Sequence, residues 1–358
     1  MGILKKVLKL VILITLLLTL GVSCAKFNYL YEQGMGQMSL LSAGKDNKEV
    51  LKNVRVGKTQ KEKIKKIEEL KKYFYNYWGK KETRIYSQTT MLKQKAVTYL
   101  VIVSPHFEIK AMDNCFPLMG CFPYLGFFSL NSAKEFAKEQ ETEDKVTWIR
   151  PVYAYSTLGY FTDTILSSFF EYDNFELSEL IFHELFHTIF FVKNQVDLNE
   201  NLAMYFSEGM QEEYYTSINQ IDYMKFEQKR NAENKQIKKL VVQLASELQH
   251  LYKSLLPKTK EESDVILKEF LEDRFIVEVM KKCQALDIQP KNCFPLERKW
   301  NNASFAAFLT YEKKAMSLES LQKKLGLDLK GYYNWITKKY DAFLDQNEEA
   351  DFEIFLFK

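Results

Sequence analysis

The sequence predicts an α+β protein that is predominantly helical, with a small sheet in its N-terminal part and a helical C-terminal half. Three observations carry this. Two runs of strand length and composition, Ala96 to Ser104 and Val146 to Tyr153, both lie in the first half of the chain. From Asp173 onward, apolar residues recur at three- and four-residue steps in almost every segment. Only 7 Pro and 13 Gly occur in 358 residues, which favours long elements and few elaborate loops.

Composition narrows the class. Hydrophobic residues make up 46% and charged residues 27%, a folding composition rather than a disordered one. The length allows one large domain or two ordinary ones; the expected division is a leader over 1–23 and a single domain over 24–358. Within that domain a mixed α/β part covers 24–172, two central helices 173–216 and a helical part 217–358. The net charge of +3 comes entirely from Lys5, Lys6 and Lys9, so the chain after residue 23 is balanced and no nucleic-acid surface is expected.

Those three lysines precede the apolar run Leu10 to Leu20, the pattern of a secretory signal, and the run is too short to span a membrane comfortably. It ends in Gly21-Val22-Ser23-Cys24, which resembles a bacterial lipoprotein cleavage box with Cys24 as the lipid-modified residue. Gly21 stands where that pattern usually has Leu, and an ordinary secretory signal with an incidental Cys24 is the alternative. Ala25 after the cysteine favours the outer membrane. The expected location is therefore the periplasmic face of a bacterial envelope, with a lipid anchor at Cys24. Four further cysteines, Cys115, Cys121, Cys283 and Cys293, form an even set in an exported chain. The economical connectivity is two local disulfides, 115–121 and 283–293; neither pair has zinc-ribbon spacing.

In chain order, residues 27–37 read as an early helix or extended lead and 43–60 as a polar loop. Ile64, Ile67, Leu70, Phe74 and Tyr77 predict a helix from Lys61 to Trp78 with a solvated lysine face. Cys115 to Leu130 holds two Cys-Phe-Pro units among glycines, a tightly turned aromatic segment, and Asn131 would cap a helix from about Ser132 to Gln140. Ala154 to Leu166 reads as a loop. Asp173 with Glu176 is a cap-and-return pair opening a helix that runs to about Val192. A turn over Lys193 to Asp197 leads into a helix from Leu198 to about Tyr215. Ile237, Leu240, Val241, Leu244, Leu248, Leu251 and Leu255 form one long stripe, followed by helices at Val265 to Cys283, Trp300 to Tyr311 and Leu329 to Tyr340. The tail after Asp345 is expected to be peripheral.

The chemistry lies in His183-Glu184-Leu185-Phe186-His187. Residues four apart share a helix face, so His183 and His187 can aim both imidazoles at one ion, and Glu184 stands where a carboxylate can deprotonate a water. A catalytic zinc takes three protein ligands and a water. Glu200, at the start of the next helix, is the expected third ligand; Glu208 is the runner-up, with Glu212 and Glu213 behind it. Such a site activates water with Glu184 as general base and needs a donor for the developing oxyanion. Tyr155, Tyr205, His250 and Tyr311 are candidates that the sequence does not separate. His250 falls on an apolar stripe and reads as a packed core residue; His106, after Pro105, reads as structural or exposed.

Several segments, in order, resemble the predicted bacterial aminopeptidases, exported zinc metallopeptidases with a gluzincin-type site. They are Tyr31 with Gly36-Gln37, Cys115-Phe116-Pro117 with Gly120-Cys121, Ala154-Tyr155-Ser156-Thr157-Leu158-Gly159, Leu180 to His187, Asn199-Glu200 with Ala203, and Asn301-Asn302-Ala303 with Tyr311. Tyr160, Thr162 and Leu198 depart from that pattern without touching the ligand set. The resemblance implies a zincin-like fold, one Zn2+ held by His183, His187 and Glu200, Glu184 as base and a peptide substrate. An aminopeptidase also needs an acid for the substrate's free amine, and Glu208 could supply it. The competing expectations are a zinc endopeptidase or other amide hydrolase, and an envelope lipoprotein that keeps a metal helix without turnover.

Overall fold

The computed structural model describes residues 29–116, 120–154, 162–193, 195–310, 316–345 and 351–357. Helix α1 occupies 29–42. The polar stretch after it is not the expected loop. It holds strand β1 (Lys45–Asp46) and helix α2 (Asn47–Lys52), because Asp46 accepts from the Lys48 N–H at 2.8 Å and Val50 is buried as an anchor. Helix α3 (Lys58–Trp78) starts ahead of the expected Lys61, with the Gln60 side chain returning to the Gly57 N–H at 3.1 Å. Its buried face includes Ile64, Ile67, Leu70 and Phe74, as the periodicity predicts, together with Tyr75 and Trp78, while Tyr77 is half-buried.

Strand β2 (Gln88–Thr90) lies between β1, antiparallel, and the short β8 (Ile165–Leu166), parallel. A second sheet is centred on β3 (Thr98–Pro105), with β6 (Leu125–Phe127) and β7 (Lys145–Val152) antiparallel on its two sides. These two long strands are the two read from the sequence. Between them, β4 (Asn114–Phe116) and β5 (Gly120–Phe122) form a hairpin in which Cys115 faces Cys121 and the two are disulfide-bonded. Helix α4 (Leu130–Gln140) is capped by Ser129, not Asn131, and packs Ala133 and Ala137 on Tyr99, Val101 and Phe127.

The rest is helical: α5 (Asn174–Phe186), α6 (Val196–Ser217), α7 (Ile221–Leu255), α8 (Lys260–Glu269), a π-helical turn (Phe270–Phe275), α9 (Ile276–Ala285), α10 (Asn302–Thr310), α11 (Met316–Leu325), α12 (Leu329–Asp345) and α13 (Phe352–Phe357). The stripe on α7 buries Ile237, Val241, Leu244, Leu248 and Tyr252, so Leu251 and Leu255 fall outside it. His250 is exposed, not core: it sits two residues past Leu248, near the opposite side of a 3.6-residue turn. Helix α8 begins at Lys260, well before the expected Val265, because Thr259 caps it. Nor is the C-terminal tail peripheral. Phe352 is fully buried, 5.3 Å from the Phe343 ring and 4.9 Å from Tyr340, and the Glu353 N–H donates to Gln195 Oε1 at 3.2 Å.

Two large cores result. One gathers α3, α5, α6 and α12 around stacked aromatics, with Phe186 and Phe206 at 4.7 Å. The other gathers α7, the π turn, α9 and α10 and contains the Cys283–Cys293 disulfide. Both local disulfides are therefore as read from the sequence. The second core is tied to β3 through Asn302, which accepts from the Tyr252 hydroxyl at 3.0 Å and donates to the His106 carbonyl at 2.7 Å. His106 is buried with Nδ1 3.6 Å from Asp264, a structural position. Among the described residues no helix is long and apolar enough to cross a membrane.

Candidate metal centre

Helix α5 is fixed before it reaches its histidines. Asp173 accepts from the N–H groups of Phe175 and Glu176 at 2.9 and 2.8 Å, and the Glu176 carboxylate takes the Asp173 N–H at 3.1 Å. This is the capping box expected from the sequence. Arg230 of α7 bonds the other oxygen of Asp173 at 2.8 Å. One turn on, Gln211 of α6 donates to the Phe175 carbonyl at 2.7 Å and to the Ser178 hydroxyl at 2.9 Å, clamping the two helices. Leu177, Ile181, Phe182 and Leu185 are fully buried along one face, which leaves His183 and His187 on the adjoining one.

The helix does not continue to Val192. It stops at Phe186, with His187 as its C-cap at φ −58° and ψ −21°, still right-handed helical. The Thr188 hydroxyl takes the Leu185 carbonyl at 2.6 Å and meets the Tyr75 hydroxyl at 3.0 Å, while the N–H groups of Thr188 and Ile189 close a tight turn. His187 thus keeps helical register with His183 although it lies at the end of the element, where Tyr75 supplies the rigidity.

Helix α6 starts at Val196, ahead of the expected Leu198. What aims it is Asn199. Its amide donates to the Val192 carbonyl and its carbonyl oxygen accepts the Val192 N–H, both at 2.7 Å, with the residue 2% exposed. The next residue, Glu200, is thereby carried back over α5. Gly209, further along α6, lets α12 approach, since a Cβ there would stand 2.7 Å from Leu329.

The three predicted ligand groups meet. His183 Nε2 is 3.2 Å from Glu200 Oε2, His187 Nε2 is 3.4 Å from Glu200 Oε1, and the two Nε2 atoms are 3.3 Å apart. Donors on a tetrahedron about 2.0–2.1 Å from a zinc ion lie about 3.3–3.4 Å from one another, so these spacings fit one such ion. Among the described residues this is the cluster whose atoms could hold a metal. The His187 side chain is 3% exposed and that of His183 22%, whereas Glu200 at 47% faces solvent and leaves an open side.

The electrostatics of the site follow from this packing. Burial opposes charge on His183, but the bond to Glu200 and the carboxylates of Glu184, Glu200 and Glu179 outweigh it and raise its pKa above 6.5. His187, buried and beside His183, is pushed down to about 4, against the pull of Glu200. The bond from His183 holds the Glu200 carboxyl below its ordinary value despite burial. The two rings are thus pushed apart, His183 towards holding a proton and His187 towards losing one, while Glu200 is held towards its charged form.

Glu184 is half-buried beside these ligands and its charge is felt by His183 and by the buried Tyr86. The runner-up acid, Glu208, is exposed, lies outside the cluster and pairs with Lys235 at 3.3 Å; Glu212 and Glu213 are exposed too. Tyr205 donates its hydroxyl to Gln322. His250 is exposed on α7, which removes the reason given for treating it as core. Tyr155, Tyr311 and Cys24 lie outside the described residues. Two residues had not been singled out from the sequence for a role of their own. Asn199 was read only as part of the Asn-Glu pair. Glu179 stands one turn before His183 on the same face of α5; burial, then the charge of Glu208, raises its pKa. Its i−4 spacing from His183 was the signal that could have found it.

A family profile described as a putative aminopeptidase matches residues 28–350, and the chain therefore belongs to that family. No curated protein and no solved structure matches it.

Proposed function

We propose that this family member is a zinc-dependent aminopeptidase with a zincin-like helix pair at its centre. The single observation that carries the reading is the meeting of His183, His187 and Glu200 within 3.4 Å of one another beside the carboxylate of Glu184. The donor set of two neutral imidazoles and one carboxylate, with an open side, suits a catalytic zinc rather than a closed structural one. A bound ion would polarise the scissile carbonyl and acidify a water held beside Glu184. Glu184 takes the proton of that water, keeps it in the half-buried site and delivers it to the leaving amine. A non-catalytic protein has no use for a base next to its ligands.

The exopeptidase part of the reading needs an anion for the substrate's ammonium. Glu208 is already held by Lys235, so Glu179, one turn from His183, is the better placed acid. Its half-buried carboxyl is held above its ordinary pKa by desolvation and by the charge of Glu208, and an arriving ammonium would stabilise its charged form. The basic start, apolar core and Cys24 of residues 1–24 support export and a lipid anchor in the bacterial envelope, with Ala25 favouring the outer membrane. Metal analysis with a Glu184→Gln variant tests the chemistry. The expected result is one zinc per chain in both proteins and hydrolysis in the wild type alone; a wild type that never holds zinc would overturn it. Free and N-acetylated peptides test the exopeptidase part. Glu179→Gln should depress cleavage of the free peptide, and equal cleavage of both peptides by the wild type would sink the aminopeptidase label.

A further inference from the structure

Helix α1 carries its apolar residues on the side that a surface helix ordinarily gives to charge. Its inward residues recur at three- and four-residue steps: Tyr29, Glu32, Gln33, Gly36, Gln37 and Leu40. The Tyr29 ring lies 5.6 Å from Phe116 and 5.3 Å from Phe127, and Leu40 joins the core of α3 and α5. Between them Gly36 lets the helix lie low, since a Cβ there would stand 2.3 Å from the Phe128 ring. These contacts fix which side faces the protein, and Glu32, the one charged residue of 29–42, is on it. On the opposite arc stand Leu30, Tyr31, Met35 and Met38, from 40% to 67% exposed. Gly34, Leu41 and Ser42 complete that arc, which holds no charge. A helix beside water normally turns its apolar stripe inward and its charges outward.

The chain itself says what covers this face. Cys24 stands five residues before Tyr29, and a stretch of that length spans at most about 17 Å. An acyl group on Cys24 would therefore hold α1 within that distance of the lipid headgroups. The residue types suit such a surface. Methionine side chains adapt to an irregular apolar medium, and a tyrosine keeps its ring in the apolar layer and its hydroxyl in the wet one. The span 29–42 is too short to cross a bilayer, so the helix can only lie along it. We propose that α1 rests on the membrane surface, with Leu30, Tyr31, Met35 and Met38 sunk into the boundary between headgroups and acyl chains. A second contact so close to an anchor acts at high effective concentration and orients the whole domain on the lipid. The nearness of an anchor rests on the lipoprotein reading of Cys24; the outward apolar face of α1 does not.

Vesicle sedimentation separates the helix from the anchor. The protein is the chain 24–358 with Cys24→Ser, which can hold no thioether-linked lipid and keeps every described element. Vesicles of phosphatidylethanolamine and phosphatidylglycerol, three parts to one, should bring it down. Leu30→Gln with Met35→Gln and Met38→Gln should lower its partition coefficient about tenfold or more. Phe226→Gln with Leu256→Gln removes side chains just as exposed at the two ends of α7 and should leave partition unchanged. Met35→Trp should be quenched by lipids brominated on their acyl chains beyond the quenching of the parent protein, and circular dichroism checks that each variant is folded. Absence of binding, equal binding by the triple variant, or no added quenching at residue 35 overturns the proposal. So does a dimer in solution that the triple variant loses, which would assign the face to a second copy. Mass spectrometry of the protein made from the full chain reads the anchor by itself: an unacylated Cys24 would sink the lipoprotein reading and leave the vesicle result standing.

Discussion

The two large cores solve different problems. The core around α7, α9 and α10 is mainly aliphatic with one aromatic knot and is closed by Cys283–Cys293, so a covalent link does part of the holding. The core around α3, α5, α6 and α12 has no disulfide among the described residues and is instead packed with stacked rings and stitched by buried polar clamps, Gln211 on Phe175, Asn199 on Val192 and Tyr75 on Thr188. The difference teaches what the second core is for. A disulfide fixes one pair of positions, whereas three donor atoms from two helices must be held within 3.4 Å of one another. Close-packed rings and oriented amides restrain every turn of both helices.

The contrast can be broken first at the ring stack. Phe186→Ala removes a fully buried ring next to His187 and should cost about 3–5 kcal/mol of stability in denaturant titration, with loss of metal binding. Removing the other core's staple should be milder and differently distributed. Cys283→Ala with Cys293→Ala should cost about 2–3 kcal/mol for a loop of this size, with metal affinity unchanged, since the bridge lies outside the ligand helices. A fall in zinc affinity in that double variant would show that the two cores are not independent. Asn199→Ala sharpens the comparison from the other side. It touches no donor atom, yet it frees the turn that aims Glu200, so affinity should drop about 10- to 100-fold in competition with a chromogenic chelator. The smallest effect is that of pH. A ligand histidine must lose its proton to bind, and His183 holds its proton more tightly than an ordinary histidine. Affinity should therefore begin to fall already above pH 6.5 as the solution is acidified, with one proton taken up per ion released. His187 adds a second proton only near its value of about 4.

The parts of this molecule that were legible in the sequence are those that repeat or sit close together along the chain. His183, Glu184 and His187 follow from helical spacing, Glu200 from the need for a nearby acid, and the two disulfides from local pairing. Helix α3 follows from its period, and strands β3 and β7 from the length and β-branched, apolar composition of their runs. What was missed depends on contacts that leave no period. The hold of Asn199 on Val192 is a side chain meeting backbone across a turn, and the Tyr75–Thr188 contact joins residues from distant helices. His250 has apolar neighbours in sequence but not in space, because two positions on a helix are enough to reverse the face. Helix α13 was overlooked because the acidic run before it resembles a solvated end, although Phe352 and Leu356 behind that run are core residues.

That last helix changes how the protein should be handled. Terminal residues are ordinarily the safe place to attach a purification tag or to trim a chain. Here residues 351–357 rest on α12 and bond Gln195, the residue that opens the ligand-bearing α6. A bulky group introduced into α13 would load the short turn that leads to Glu200, and a cut before Asp351 would strip the support from it. Changes made around α13 would be read out as weaker metal binding between α5 and α6.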